Sequence, residues 1–518
     1  MEKRPNFLII HSDQQRYDCV GLAGRRTGVY TPYIDSIGNQ GAHFTACYAN
    51  CPVCIPQRMT FLTGQTPAHH GLFHNFGVAY YPVETTLPAE MRRGGYQTAL
   101  VGRTMHTYPF KYSYGFEYYL PGDPSNEDRS TDAFFRYVKA NAPDGEGGYY
   151  GNGAQNNARA GVPFHLEDRF HQTKWAVNQA LEFLETRDAS RPYMLFVGFY
   201  APHSPHNPPA DYFNRFYSRT DLDQPYIADW DVPPATSGGI GASYINLKGE
   251  DLRAAYAGYY GNIAFLDAQI GRLLGAIDRN TYVIFTSDHG DLMGDHYMYQ
   301  KSRPYEGSCH IPLEIMGPGI RFGQTLDQPV GWHDLMPTIL DLAGLEVPES
   351  VDGRSMAPLL KEGKDDSWRS YMHGECVHFY HSTDERNTAP EGKHNYFFEK
   401  GSQYLTDGKM KYIWYVTSGK EQLFDLENDF KELHDLSELP EYQEELKMWR
   451  ERLVKILDGR EEGFVEDGHL VAGKTPQRGS LKAQKIAEQR TKEGFPLAYF
   501  GKKKDRYDDL DFEDHLMK

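Results

Sequence analysis

Three things are scarce in this chain of 518 residues. Cysteine is one. Six residues are too few to staple a chain of this size, which excludes a disulfide framework. Cys47, Cys51 and Cys54 are near neighbours, but no second cluster completes a zinc site. Positive charge is another. The formal net charge is −17, which argues against nucleic acid as a partner and, more weakly, against a long polyanionic substrate. A small anion can still be held in a local basic pocket. Long apolar runs are the third, since none is long enough to span a membrane. The opening Met1-Glu2-Lys3-Arg4-Pro5 runs straight into a strand-like segment with no signal-peptide pattern. We therefore expect a cytoplasmic protein, the alternative being a periplasmic or secreted one whose signal peptide has been removed.

What the chain does have is enough apolar residue, 40%, for a sizeable core. Short continuous apolar runs at 7–10, 98–101, 193–200 and 282–285 read as strands covered on both faces. Between them, Trp175, Val177, Leu181 and Leu184, and later Phe265, Ile270, Leu273 and Leu274, have near-helical spacing. Alternating strand and helix predicts an α/β fold, a large, mostly parallel mixed sheet sandwiched by helices. The Gly-, Asn- and Tyr-rich stretch 141–161 reads as a long loop, either a lid or surface disorder. Beyond about residue 370 the pattern changes. Residues 411–416 and 421–426 read as antiparallel strands joined by a Ser418-Gly419 turn. Tyr442, Leu446, Trp449, Leu453 and Leu457 form a helical stripe ending at Gly459. The division expected is a large α/β domain over 1–370, a smaller C-terminal antiparallel sheet plus helix subdomain over 371–459, and a polar tail over 460–518.

One stretch stands out, Cys54-Ile55-Pro56-Gln57-Arg58, followed by Met59-Thr60-Phe61-Leu62-Thr63-Gly64. Pro belongs in the first turn of a helix, where its missing N–H is not needed, and Gly suits the end. Cys54 would sit at a helix N-terminus, where free N–H groups and the dipole favour an anion, with Arg58 one turn on along the same face. A buried structural cysteine is the bland alternative.

The C-x-P-x-R frame with its Leu62-Thr63-Gly64 ending resembles the signature of the type I, formylglycine-dependent sulfatases of the alkaline phosphatase superfamily. The resemblance implies that a formylglycine-generating enzyme oxidises Cys54 to formylglycine during maturation. A hydrated aldehyde carries two hydroxyls on one carbon. One attacks sulfur and releases the alcohol; the other, once deprotonated, collapses the diol, expels sulfate and regenerates the aldehyde. A serine would be left as a stable sulfate ester.

Chemistry-bearing groups gather at predicted strand ends, where ligands of open α/β sheets bind. They are Asp13 and Gln14, Arg103 and His106, His203, and Asp288 and His289. The resemblance implies that Asp13, Gln14, Asp288 and His289 hold a divalent metal, with modified Cys54 completing the site. Oxygen donors favour calcium, while His289 keeps manganese open. It also implies that Lys301 contacts the sulfate, that His203 or Lys301 helps the alcohol leave, and that Arg58, Arg103 and His106 surround the anion. Two departures from the family pattern stand here: Arg103 replaces a lysine and is separated from His106 by one extra residue, and Gln57 stands where a small residue is commoner. His171 and His206 read as structural, and His74, Asn75, Tyr108 and the loop from Tyr149 as ordinary loop residues.

These readings make the chain a sulfatase acting on a small sulfated carbohydrate or aryl sulfate, with no nucleic-acid or membrane partner. The nearest rival is a phosphonate monoester or phosphodiester hydrolase with the same nucleophile. A rival of another class is a non-catalytic anion- or sugar-binding homologue with Cys54 unmodified.

Overall fold

A computed structural model describes residues 4–26, 28–75, 85–105, 113–124, 132–142, 157–235, 242–378, 392–474, 476–477, 479–481, 483 and 485. Eight strands form one sheet: β1 (Asn6–Asp13), β2 (Ala42–Phe44), β3 (Gln97–Gly102), β4 (Tyr118–Pro121), β5 (Tyr193–Pro202), β6 (Thr281–Ser287), β7 (Leu313–Met316) and β8 (Gln324–Leu326). Their spatial order is β4-β3-β5-β1-β6-β7-β2-β8. β7 runs antiparallel to both neighbours and the other pairings are parallel.

The four predicted strands are four adjacent ones, β3-β5-β1-β6, and both faces of the sheet are covered. Phe7 and Ile9 of β1, with Leu100, Phe196 and Ile284, pack under Phe61 and Leu62 of α1 (Cys54–Thr63). Their neighbours Leu8 and Ile10, with Val101, Val197 and Phe285, pack on the opposite face. There they meet Trp175 and Val177 of α2 (Gln172–Thr186) and Leu266, Ile270 and Leu273 of α3 (Gly249–Leu274). Two buried faces leave no polar alternation, which is why these strands read as unbroken apolar runs. The outer strands β2, β4, β7 and β8 carry only three or four residues each, too few to show a period in the sequence.

β1, β3, β5 and β6 are mutually parallel, so their C-terminal ends meet at one edge, and one glycine contact shapes that edge. Gly102 of β3 pairs with Gly198 of β5 and has φ +93°, and a Cβ on it would lie 2.1 Å from the Gly198 carbonyl oxygen. Without side chains the two backbones approach closely, and the Arg103 N–H donates to Gly198 O at 2.8 Å. The chain thus leaves β3 with Arg103 aimed over the strand ends.

The small sheet is antiparallel and has four strands, β9 (Met372–Val377), β10 (Gly401–Thr406), β11 (Met410–Tyr415) and β12 (Glu421–Asp425), where two were expected. Helix α4 (Gln443–Leu457) covers it, burying Leu446, Trp449, Leu453 and Leu457. Tyr442 precedes the helix in a short 3-10 turn and is partly buried. The first part of the expected tail folds onto this subdomain, with Phe464 buried against Trp414. Residues 486–518, like 143–156 of the expected long loop, lie outside the described residues.

The small sheet is tied directly to the segment that leads into α1. The Glu375 N–H donates to Asn50 O at 2.9 Å, and the Tyr404 hydroxyl donates to Ala49 O. Lys411 of β11 has no exposed side-chain surface and lies 2.7 Å from Glu306 Oε1 and 2.9 Å from Glu432 Oε1. Replacing Lys411 by Ala would leave two buried carboxylates short of their cation. It is expected to cost about 3–5 kcal/mol, read as a lowered midpoint in urea unfolding; a loss under about 1 kcal/mol would show the triad to be dispensable.

Candidate active site

Helix α1 carries Cys54 at its first position and all ten of its residues are buried. Pro56 falls in the first turn, and Gly64 closes the helix at φ +65° with its N–H on Thr60 O. Two side chains secure the start. Asn75 Oδ1 accepts from the Ile55 N–H at 2.9 Å, so this loop residue holds the helix N-terminus. Gln57 Oε1 accepts from the Cys51 N–H at 3.2 Å, which gives the unusual Gln57 a structural use.

The C-terminal ends of β1 and β6 bring two carboxylates and an imidazole to this N-terminus. One ligand atom each from Asp13, Cys54, Asp288 and His289 lies within 4.8 Å of the others, and all four residues are buried. His289 Nδ1 donates to Gly290 O at 3.0 Å, and its Nε2, a lone pair once the ring is neutral, faces Cys54 Sγ at 3.2 Å. Asp13 Oδ1 is buried and has no hydrogen-bond partner among the described residues. An acceptor left bare beside a second carboxylate and an imidazole nitrogen suits a cation. Gln14 adjoins the cluster in the left-handed region, φ +70°, with its N–H on Asp288 Oδ1 at 3.2 Å. Tyr259 of α3 holds that strained turn, accepting from the Arg16 N–H and donating to Gln14 O.

Two arginines keep the carboxylates ionised. Arg58 Nη2 donates to Asp13 Oδ2 at 2.7 Å and to Asp288 Oδ2 at 2.8 Å, and its Nη1 donates to Thr104 O. Arg103 Nε donates to Asp13 Oδ2 at 2.7 Å and its Nη1 to Asp123 Oδ1, with the guanidinium over the Tyr200 ring. Burial opposes ionisation of Asp13, but Arg103 and then Arg58 outweigh it and hold the carboxyl well below the usual range. Asp288 is lowered too, with His289 and Arg58 working against burial and the Asp13 charge.

Lys301 and His203 form a second pair. Lys301 Nζ donates to Gln14 Oε1 at 2.8 Å and to His203 Nε2 at 3.1 Å. His203 Nδ1 donates to Ser204 O at 2.6 Å. Burial, and then the charge of Lys301, push the His203 pKa well down, so the ring is neutral.

The structure therefore gathers Asp13, Gln14, Cys54, Arg58, Arg103, His203, Asp288, His289 and Lys301 from six stretches of chain. His106, Tyr108 and Tyr149 lie outside the described residues. His171 caps α2 by accepting from the Thr173 N–H, and His206 donates to Pro202 O, so both serve the backbone. Three participants escaped the sequence reading. Asp123 anchors Arg103, Asp291 holds the Gln14 amide, and His11 lies buried 3.8 Å from Asp288. Asp291 follows Asp288-His289-Gly290 directly, and its proximity was the one signal available.

Comparison with known proteins gives the family. A family model described as Sulfatase matches residues 5–345. The chain belongs to the sulfatase family. This sulfatase also matches a second model, N-sulphoglucosamine sulphohydrolase, C-terminal, over residues 294–458. It is 35% identical over 499 residues to an arylsulfatase of Clostridium perfringens, covering 91% of this chain and 98% of the relative. A choline-sulfatase of Rhizobium meliloti is 29% identical over 453 residues, covering 84% and 83%. Among solved structures, the phosphonate monoester hydrolase of Agrobacterium radiobacter superposes with a TM-score of 0.72 at 26% identity, covering 88% of this chain and 95% of that one. Membership makes the chain a hydrolase of sulfate esters in the alkaline phosphatase superfamily, and it implies a divalent metal. No helix among the described residues is long and apolar enough to cross a membrane.

Replacing Asp13 by Asn would remove a buried charge from this candidate metal cluster and leave Arg58 and Arg103 facing an amide. Affinity for calcium or manganese is expected to fall at least ~10-fold and stability by about 3 kcal/mol. Metal titration followed by thermal shift, with urea unfolding of the metal-free protein, measures both.

Proposed function

We propose that this sulfatase hydrolyses the sulfate monoester of a small carbohydrate or phenol, with Cys54 converted to formylglycine as nucleophile. The observation that carries this reading is Cys54 at a buried helix N-terminus inside the Asp13, Asp288 and His289 cluster. Formylglycine supplies a geminal diol, an oxygen nucleophile that can expel sulfate again. Asp13, Gln14, Asp288 and His289 would hold a divalent metal, calcium with manganese as the rival, which supplies positive charge beside the sulfate oxygens.

The protein's own residues supply the rest. Arg58 and the α1 N-terminus neutralise the anion, and Arg103, tethered between Asp13 and Asp123, contributes charge from one side. His106 is a further candidate for holding the anion. Of the Lys301–His203 pair, Lys301 bears the transferable proton, because His203 presents a lone pair at Nε2 and has its Nδ1–H on Ser204 O. Lys301 therefore protonates the leaving oxygen, while His203 aligns it. The net charge of −17 disfavours a long polyanion and leaves small esters as the substrates that reach the site. A formylglycine-generating enzyme is the maturation partner this reading requires.

Similarity to a phosphonate monoester hydrolase supports one second reading, cleavage of phosphonate monoesters or phosphodiesters by the same nucleophile. Side-by-side kinetics on an aryl sulfate and an aryl phosphonate decide it: a far faster phosphonate reaction would displace the sulfatase reading.

Three outcomes are expected. Cys54→Ala abolishes turnover without altering the fold, and mass spectrometry of the peptide spanning Cys54 finds the aldehyde in protein from a host that makes formylglycine. An unaltered thiol there would favour a non-catalytic homologue. Lys301→Ala lowers kcat by about 10²–10⁴-fold on a sugar or alkyl sulfate but far less on nitrophenyl sulfate, whose leaving group needs no proton. Equal losses on both would remove Lys301 as the acid.

A further inference from the structure

Asp291 makes hydrogen bonds that decide how Gln14 is oriented. It is buried, with 2% of its surface exposed. Its Oδ1 accepts from the Met293 N–H at 2.9 Å and the Gln300 N–H at 2.8 Å. Its Oδ2 accepts from Gln14 Nε2. An amide has two orientations of nearly the same shape, and its surroundings choose between them. A carboxylate only accepts, so Asp291 admits one. Gln14 Nε2 must face Asp291, and Gln14 Oε1 must face the other way, where Lys301 Nζ donates to it at 2.8 Å and continues to His203 Nε2 at 3.1 Å. The bonds run in one direction, from Gln14 to Asp291 and from Lys301 to Gln14.

We propose that Asp291 is the positioning residue that sets the Gln14 amide, turning its carbonyl oxygen toward the metal site and Lys301. This rests on the metal-dependent sulfatase reading above. The geometry makes an unusual forecast for the isosteric variant Asp291→Asn. The two backbone N–H groups of Met293 and Gln300 would claim its single oxygen, so its NH₂ would face Gln14. Gln14 would then rotate its amide to accept that bond, presenting NH₂ to the Lys301 ammonium and to the metal. No hydrogen bond between the two side chains is lost, only its direction.

The direction can be restored. In the double variant Gln14→Glu with Asp291→Asn, the introduced carboxylate accepts from the introduced amide with one oxygen and offers the other to Lys301 and the metal. Gln14→Glu alone sets two carboxylates face to face. The experiment titrates calcium and manganese into chelator-treated wild type and the three variants, followed by thermal shift, beside kcat and KM on nitrophenyl sulfate. Each single variant is expected to bind metal about 10–100-fold more weakly and to lose kcat more than KM, with the double variant recovering most of both. Thermal midpoints of the metal-free proteins report folding. Wild-type metal affinity in D291N overturns the proposal, as does a double variant no better than the worse single one. A wild type that binds neither metal overturns the metal reading itself, which is a separate result.

Discussion

Two carboxylates buried side by side set the terms for everything around them. Asp13 and Asp288 reach the same spot from adjacent parallel strands, and neither has exposed surface. Paired negative charge in a low dielectric is unstable unless cations adjoin it. Arg58 answers from the helix that bears Cys54, bridging both carboxylates, and Arg103 answers from the end of β3. The supply of acceptors still exceeds that of donors, since Asp13 Oδ1 has no hydrogen-bond partner among the described residues. That surplus is the structural argument for a metal, and it lies beside Cys54.

The scaffold explains how such a cluster is held. Parallel strands covered on both faces give a rigid floor whose carboxyl ends share one edge. The close Gly102–Gly198 approach turns the chain sharply at that edge, and Tyr259 keeps Gln14 in a conformation that an L side chain rarely adopts. The small sheet contributes from behind. Its bonds to Ala49 and Asn50 steady the segment that leads into α1, the helix that carries Cys54. A net charge of −17 does not conflict with an anion site, because surface charge more than about a Debye length away is screened.

Much of this was legible in the sequence. The central strands declared themselves because both faces are buried, and α4 because one face is. The short outer strands had no period to read. Gln57 looked like a departure that weakened the motif, whereas in the fold it braces the loop before the helix. Asp123 and Asp291 stayed hidden because an aspartate at a loop position is ordinary, and its value here lies wholly in which side chain it meets.

The sequence by itself determined the chemistry available: a cysteine in a modifiable frame, acidic pairs at strand ends, and lysine, arginine and histidine in a recognisable order. Those signals are local, and a short motif carries them intact. Direction and partnership were decided only by tertiary structure. It assigned Arg103 to Asp13 and Asp123, made Lys301 the donor and His203 the acceptor, and oriented Gln14 through Asp291. The reason is that a hydrogen bond's polarity depends on both ends, and here the two ends lie far apart in the chain.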